Sequence, residues 1–244
     1  MEPISSVLDR KKVIVLGGSS GIGLATARAA ATEGARVLIV SGNQFHIDQA
    51  LAAIDGDRQG IQVDLTDEGA IKRLFERTGS FDHLVYTAGS SMAVQHIVDL
   101  EARTIRDYFE IRFWGAFAAI KYSVPFIDRG GSITLTSGIA SCRPGKGWAL
   151  GASSSGALEG LTVAMAVELA PIRVNAVSPG LTRTNLWNGM PEADRENLYE
   201  QTSARLLTGR VATADEVAQT YLYLMKAPFV TGQVAIADGG AVLV

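Results

Sequence analysis

The amino-acid sequence predicts a doubly wound α/β domain, a parallel sheet with helices on both faces in three layers. Short β-branched runs alternate with longer helical stretches almost from end to end. Those runs are continuously apolar rather than alternating, as strands covered on both faces are. Glycine outnumbers proline 26 to 7 and gathers where the strand-like runs end. A chain of 244 residues, 47% hydrophobic and 19% charged, suits one folded domain spanning residues 1–244 and excludes disorder.

The first apolar run covers residues 13–16 and leads into a helical stretch over 21–31. The second, 36–40, precedes an apolar-periodic segment through Ala53, and the third, 61–63, precedes a helix over 66–78. Further strands read at 83–86, 132–136, 173–177 and 233–237, giving seven parallel strands in the order 3-2-1-4-5-6-7. Two long helices read at 100–127 and 152–169. The second carries only Glu159 and Glu168 as charges, so it needs cover on several sides. Either a second subunit supplies that cover, or this is an alanine-rich surface helix. Residues 181–209, with Trp187, Pro191 and a short helical pattern at 192–201, form either a lid over a site or a surface excursion.

A net charge of -3 gives no footprint for a polyanion, which excludes nucleic-acid binding. The single cysteine, Cys142, forms no intramolecular disulfide, so the chain is expected in the cytoplasm. No signal-like h-region follows the amino terminus, and no apolar stretch reaches membrane-spanning length; neither export nor a membrane location is expected.

The first strand-to-helix junction reads Leu16-Gly17-Gly18-Ser19-Ser20-Gly21-Ile22-Gly23. Glycines there let the backbone turn tightly and approach a pyrophosphate, and the free N–H groups at the helix start attract its charge. The spacing of Gly17, Gly21 and Gly23 resembles that of the short-chain dehydrogenase/reductase family. Five later segments resemble the family as well: Asp64-Leu65, Leu84 to Gly89 with both of the family's asparagines replaced, Arg173 to Gly180, Thr231-Gly232-Gln233 and Asp238-Gly239-Gly240. The resemblance implies a Rossmann-type fold, a small-molecule substrate, a homodimer or homotetramer joined through the two long helices, and a nicotinamide dinucleotide. Gly17, Ser19, Ser20, Gly21 and Ile22 would hold its phosphates, and Asp64 and Leu65 its adenine. Ala88, Gly89, Pro179, Gly180 and Thr184 would hold the nicotinamide half.

The second strand ends at Ser41-Gly42-Asn43. An acidic residue at that strand end would accept hydrogen bonds from the ribose of NAD and repel the extra phosphate of NADP. Ser41 removes the repulsion, so NADP is expected above NAD, held there by Ser41 and Asn43.

The family's usual catalytic positions fall, by the same alignment, on Arg112, Gly138, Gly151 and Ser155, where the resemblance leads one to expect asparagine, serine, tyrosine and lysine. A shift of one residue brings Ser137 near the serine place, but no tyrosine occurs between Tyr122 and Tyr199. Arg112 cannot act as a general acid, yet it can stabilise an oxyanion or clamp a carboxylate; the alternative is an ion pair with Glu159. Ser155 is the other catalytic candidate, with helix capping or packing as its alternative. The expected function is an atypical oxidoreductase moving hydride between NADP(H) and a small carbonyl- or imine-type substrate. The competing expectation is a catalytically degenerate nucleotide-binding protein serving as scaffold or sensor. His46, His83 and His96 show no metal-ligand spacing and read as surface or structural residues. Trp148 and Trp187 are expected to line a substrate cavity, and Tyr86 to pack beneath a loop.

Overall fold

The computed structural model describes residues 6–91 and 94–244. Its seven-stranded sheet runs in the order β3-β2-β1-β4-β5-β6-β9, every neighbouring pair parallel. The strands are β1 (Lys12–Leu16), β2 (Arg36–Ser41), β3 (Arg58–Gln62), β4 (Phe81–Tyr86), β5 (Ile127–Thr136), β6 (Arg173–Pro179) and β9 (Val234–Ala237). Two-residue strands β7 (Thr182–Arg183) and β8 (Ala212–Thr213) pair with each other outside this sheet. Reversal of strand order between β1 and β4 opens a crevice at the carboxyl ends of the strands, where ligands bind in such sheets.

Val13, Ile14, Val15 and Leu16 have no solvent exposure, because helices cover both faces of β1. Burial of each such side chain contributes roughly 2 kcal/mol. On one face pack α1 (Gly21–Thr32), α2 (Gln44–Ala52) and α8 (Ala214–Lys226). On the other lie α3 (Glu68–Thr78), α5 (Gly115–Ser123) and α6 (Ala149–Glu168), with α4 (Ala102–Phe109) leading into α5. The helix α7 (Glu192–Ser203) belongs to a smaller apolar cluster of Trp187, Tyr199, Leu206 and Val211.

Three elements differ from the sequence reading. Strand β3 lies at Arg58–Gln62 rather than 61–63: it is a sheet edge, so it needs no apolar run, and Gly60 leaves room for Ile47 of α2. The helix read at 100–127 is α4, a wide π-helical turn at Glu110–Trp114, then α5; its last residue, Ile127, already pairs with Phe81 as the start of β5. Helix α6 begins three residues before the expected 152, at Ala149. One face of α6 is buried, while Val163 and Val167 are 52% and 79% exposed; Trp114, just before α5, and Phe117, within it, are 54% and 41% exposed. No helix of the described residues is long and apolar enough to cross a membrane.

Candidate active site

The phosphate-type loop joins β1 to α1. Gly17 has a φ of +85°, and a Cβ on it would stand 2.6 Å from the Ala88 nitrogen, so the loop and the end of β4 touch backbone to backbone. A Cβ on Gly23 would overlap the Gly17 carbonyl and Thr87 Oγ1. Ser20, the extended N-cap of α1, makes no side-chain capping bond, and the first turn holds no acidic residue. The amide donors of this helix start therefore face a cavity with no internal anion to satisfy them, which fits a dinucleotide pyrophosphate.

That cavity has a volume of about 780 Å³ and runs along the carboxyl ends of the strands. Its wall contains Gly17, Ser19, Ser20, Gly21, Ile22, Ser41, Asp64, Leu65, Ala88, Gly89, Pro179, Gly180 and Thr184. Asn43 is the exception among the residues read as cofactor contacts. Its Oδ1 accepts from the His46 amide at 3.1 Å, capping α2, and Asn43 lies outside the cavity wall. An asparagine at a strand end serves equally as a helix cap, and here its Oδ1 does so. His46 itself, read as a surface or structural residue, is exposed but lines the cavity beside Ser41 and Gly42.

At the same end Ser19 Oγ donates to Ser41 Oγ at 2.9 Å. Asp64 Oδ1 accepts from the Thr66 amide at 2.9 Å and the Thr66 hydroxyl at 2.7 Å; these bonds hold its carboxyl below the usual carboxylate range. Asp64 is the one acidic side chain in the wall among the described residues. Thr184 closes over the loop, its Cβ 3.4 Å from where a Cβ on Gly21 would stand, and its Oγ1 accepts from the Leu186 amide at 3.4 Å.

The other end of the cavity is walled by Arg112, Tyr108, Gly138, Gly151, Ser154, Ser155, Trp148 and Trp187. Arg112 sits in the π-helical turn; its Nη2 donates to the Ser90 carbonyl, and its Cζ lies 4.6 Å over the Tyr108 ring. Burial lowers the Arg112 pKa, opposed by Tyr108 and Tyr86, and a guanidinium stays charged nonetheless. Glu159, the alternative partner for Arg112, accepts instead from Ser137 Oγ at 2.6 Å and Ser141 Oγ at 2.7 Å.

Ser155 Oγ lies 3.3 Å from the position a Cβ on Gly138 would take, so two of the aligned positions are neighbours. The two tryptophan rings are 6.2 Å apart, and Trp187 Nε1 donates to the Thr182 carbonyl at 3.1 Å. Tyr86 is buried and donates to the Ile111 carbonyl, which holds the wide turn against β4. His83 is buried, with Nδ1 2.9 Å from Ser132 Oγ.

The sequence reading missed Tyr108. Burial raises its pKa against the opposing pull of Arg112 and of the Ser154 hydroxyl. The available signal was its place four residues before Arg112 on one helical stretch.

Fold and site define an oxidoreductase of the short-chain type. Residues 17–242 match a family model described as enoyl-(acyl carrier protein) reductase. The short-chain dehydrogenase/reductase ATR9 of Stachybotrys chlorohalonatus is 35% identical, over 96% of this chain and 97% of that one. A solved small-chain dehydrogenase in complex with NADPH is 36% identical with a TM-score of 0.85, covering 97% of this chain and 100% of that one. MalC Reductase/Diels-Alderase from Malbranchea aurantiaca is 30% identical with a TM-score of 0.92, covering 98% of this chain and 99% of that structure. The chain belongs to the short-chain dehydrogenase/reductase family.

Proposed function

We propose that the protein transfers hydride between NADP(H) and a small organic carbonyl- or imine-type substrate. The observation that carries this reading is the continuity of one cavity from the uncapped start of α1 to Arg112 and Ser155. The dinucleotide, when bound, supplies or accepts the hydride. Gly17, Ser19, Ser20, Gly21 and Ile22 hold its phosphates with backbone amides and hydroxyls, and Asp64 and Leu65 bound its adenine. Ala88, Gly89, Pro179, Gly180 and Thr184 bound the nicotinamide half.

Three features support NADP over NAD. Ser41 puts no acid at the end of β2, His46 offers a ring nitrogen in the same wall, and one solved relative is described with NADPH. Arg112 brings a fixed positive charge toward a developing oxyanion or a substrate carboxylate, and Ser155 offers a hydroxyl beside Gly138. Trp148 and Trp187 give an apolar wall that excludes water. Residues 181–209, which contribute Leu186, Trp187, Leu198, Thr202 and Arg205 to that wall, act as the substrate lid. The exposed apolar side chains Trp114, Phe117, Val163 and Val167 supply the surface of a homodimer or homotetramer.

A second reading rests on the site's departures from the family pattern. Gly138, Gly151 and Ser155 stand where the family carries serine, tyrosine and lysine, and one structural relative is named for a Diels–Alder activity beside a reductase one. In that reading the bound nucleotide is a scaffold or sensor.

Deuterium-labelled NADPH separates the two. Incubation with a panel of aryl ketones, activated diketones and cyclic imines is expected to deposit deuterium on substrate carbon. Tight NADPH binding with no deuterium transfer to any of them would favour the scaffold reading.

A further inference from the structure

We propose that Tyr108 is the proton donor of this site, a phenol carried by α4 in the cavity wall that Gly151, Ser154 and Ser155 of α6 also line. This rests on the oxidoreductase reading above and adds to it the identity of the acid. Tyr108 lies near the end of α4 and is only 4% exposed, yet it forms part of the cavity wall. It is the one tyrosine in that wall among the described residues.

The surroundings of Tyr108 are those a proton donor needs. The Arg112 guanidinium lies 4.6 Å over the ring, where its charge favours the phenolate that proton loss would leave. Ser154, on the turn of α6 that follows Gly151, lines the same wall, and its hydroxyl pulls the Tyr108 pKa down against burial. Ser154 Oγ donates to the Gly151 carbonyl at 3.3 Å in the resting site. Once the phenol has lost its proton, the same serine hydroxyl can turn and donate to the phenolate. Tyr108 is protonated at neutral pH, as a phenol is, and burial raises its pKa further.

The competing donors are weaker. A guanidinium does not give up a proton in a protein, and a serine hydroxyl is far less acidic than a phenol. Ser137 is held by Glu159 at 2.6 Å. Cation, phenol and serine hydroxyl thus come together here from α4, the π-helical turn and α6, rather than from α6 alone.

A bound reduced nicotinamide would supply the hydride for a new carbon–hydrogen bond at the substrate carbonyl carbon, and the carbon–oxygen π pair would move to oxygen. That oxygen takes the Tyr108 proton, and the phenolate regains a proton from water. The substrate is reduced to an alcohol and the dinucleotide is oxidised.

Two measurements test the assignment. In a crystal structure of the NADPH complex, Tyr108 Oη is expected within roughly 6 Å of the hydride-donating ring carbon, with room between them for a carbonyl group. In kinetics with NADPH and phenanthrenequinone, Tyr108→Phe is expected to lower kcat about 100-fold while leaving NADPH affinity and the thermal midpoint unchanged. NADPH bound with its ring remote from Tyr108 would overturn the assignment and spare the oxidoreductase reading, as would undiminished turnover by Tyr108→Phe. Failure of the protein to bind NADPH would overturn both. If the wild-type protein binds NADPH but leaves phenanthrenequinone unreduced, the distance in the crystal decides.

Discussion

The Arg112 guanidinium rests on Gly89: a Cβ at that glycine would stand 2.8 Å from Arg112 Cζ. The end of β4 therefore sets the height of the guanidinium, and the guanidinium in turn lies over the Tyr108 ring. Gly89→Ala is expected to push this group away from the ring without unfolding the sheet, because the obstructed atoms end a side chain and are not backbone. Turnover should fall at least about tenfold while the thermal midpoint drops by no more than a few degrees. A variant with full turnover would show that the position of the guanidinium is irrelevant to the chemistry.

Cofactor preference should follow charge at the end of β2. Ser41 Oγ accepts from Ser19 Oγ at 2.9 Å, and His46 lies in the same stretch of wall. Ser41→Asp places a carboxylate where the extra phosphate of NADP would lie and offers acceptors to the ribose of NAD. The ratio of NADPH to NADH dissociation constants, measured by titration calorimetry, should move at least about tenfold toward NADH. An unchanged ratio would mean that this strand end does not face the adenosine ribose.

His83 makes the fold sensitive to mild acid. Burial pushes its imidazolium down to about 4 from an ordinary value of 6.5, against the opposing pull of Asp82. Above pH 6.5 both the folded and the unfolded imidazole are neutral, and this group leaves stability flat. Between pH 6.5 and about 4 the unfolded chain takes up a proton that the folded chain refuses, so stability falls with pH and levels off below. The loss by pH 5 is about 2 kcal/mol. Urea midpoints at pH 7 and pH 5 should show that loss in the wild type and a smaller one in His83→Gln; equal slopes would remove His83 as the cause.

The strands buried on both faces were legible because full burial leaves an unbroken apolar run, as at Val13 to Leu16. Edge strand β3 was misplaced for the opposite reason: Arg58 and Gln59 face solvent, so nothing in their chemistry marks a strand. The wide turn at Glu110–Trp114 leaves no trace in an apolar periodicity, since one extra residue per turn keeps the segment helical. In the site, the glycine loop was legible because close backbone approach admits no other residue at Gly17 or Gly23. Asn43 illustrates an ambiguity of the sequence, because capping and cofactor binding ask for the same amide side chain. Tyr108 was missed because a family pattern directs attention to α6, and juxtaposition across α4 and α6 is a property of packing rather than of spacing.

The crevice opened by β1 and β4 is expected to bind a nicotinamide dinucleotide phosphate for redox chemistry. Titration calorimetry of the protein with NADPH, NADP+, NADH and NAD+ tests it most directly. The expected result is saturable binding with NADPH tighter than NADH, abolished in Gly17→Ala, where a Cβ would stand 2.6 Å from the Ala88 nitrogen. Absence of heat with every form, from protein that is folded by circular dichroism, would contradict the account.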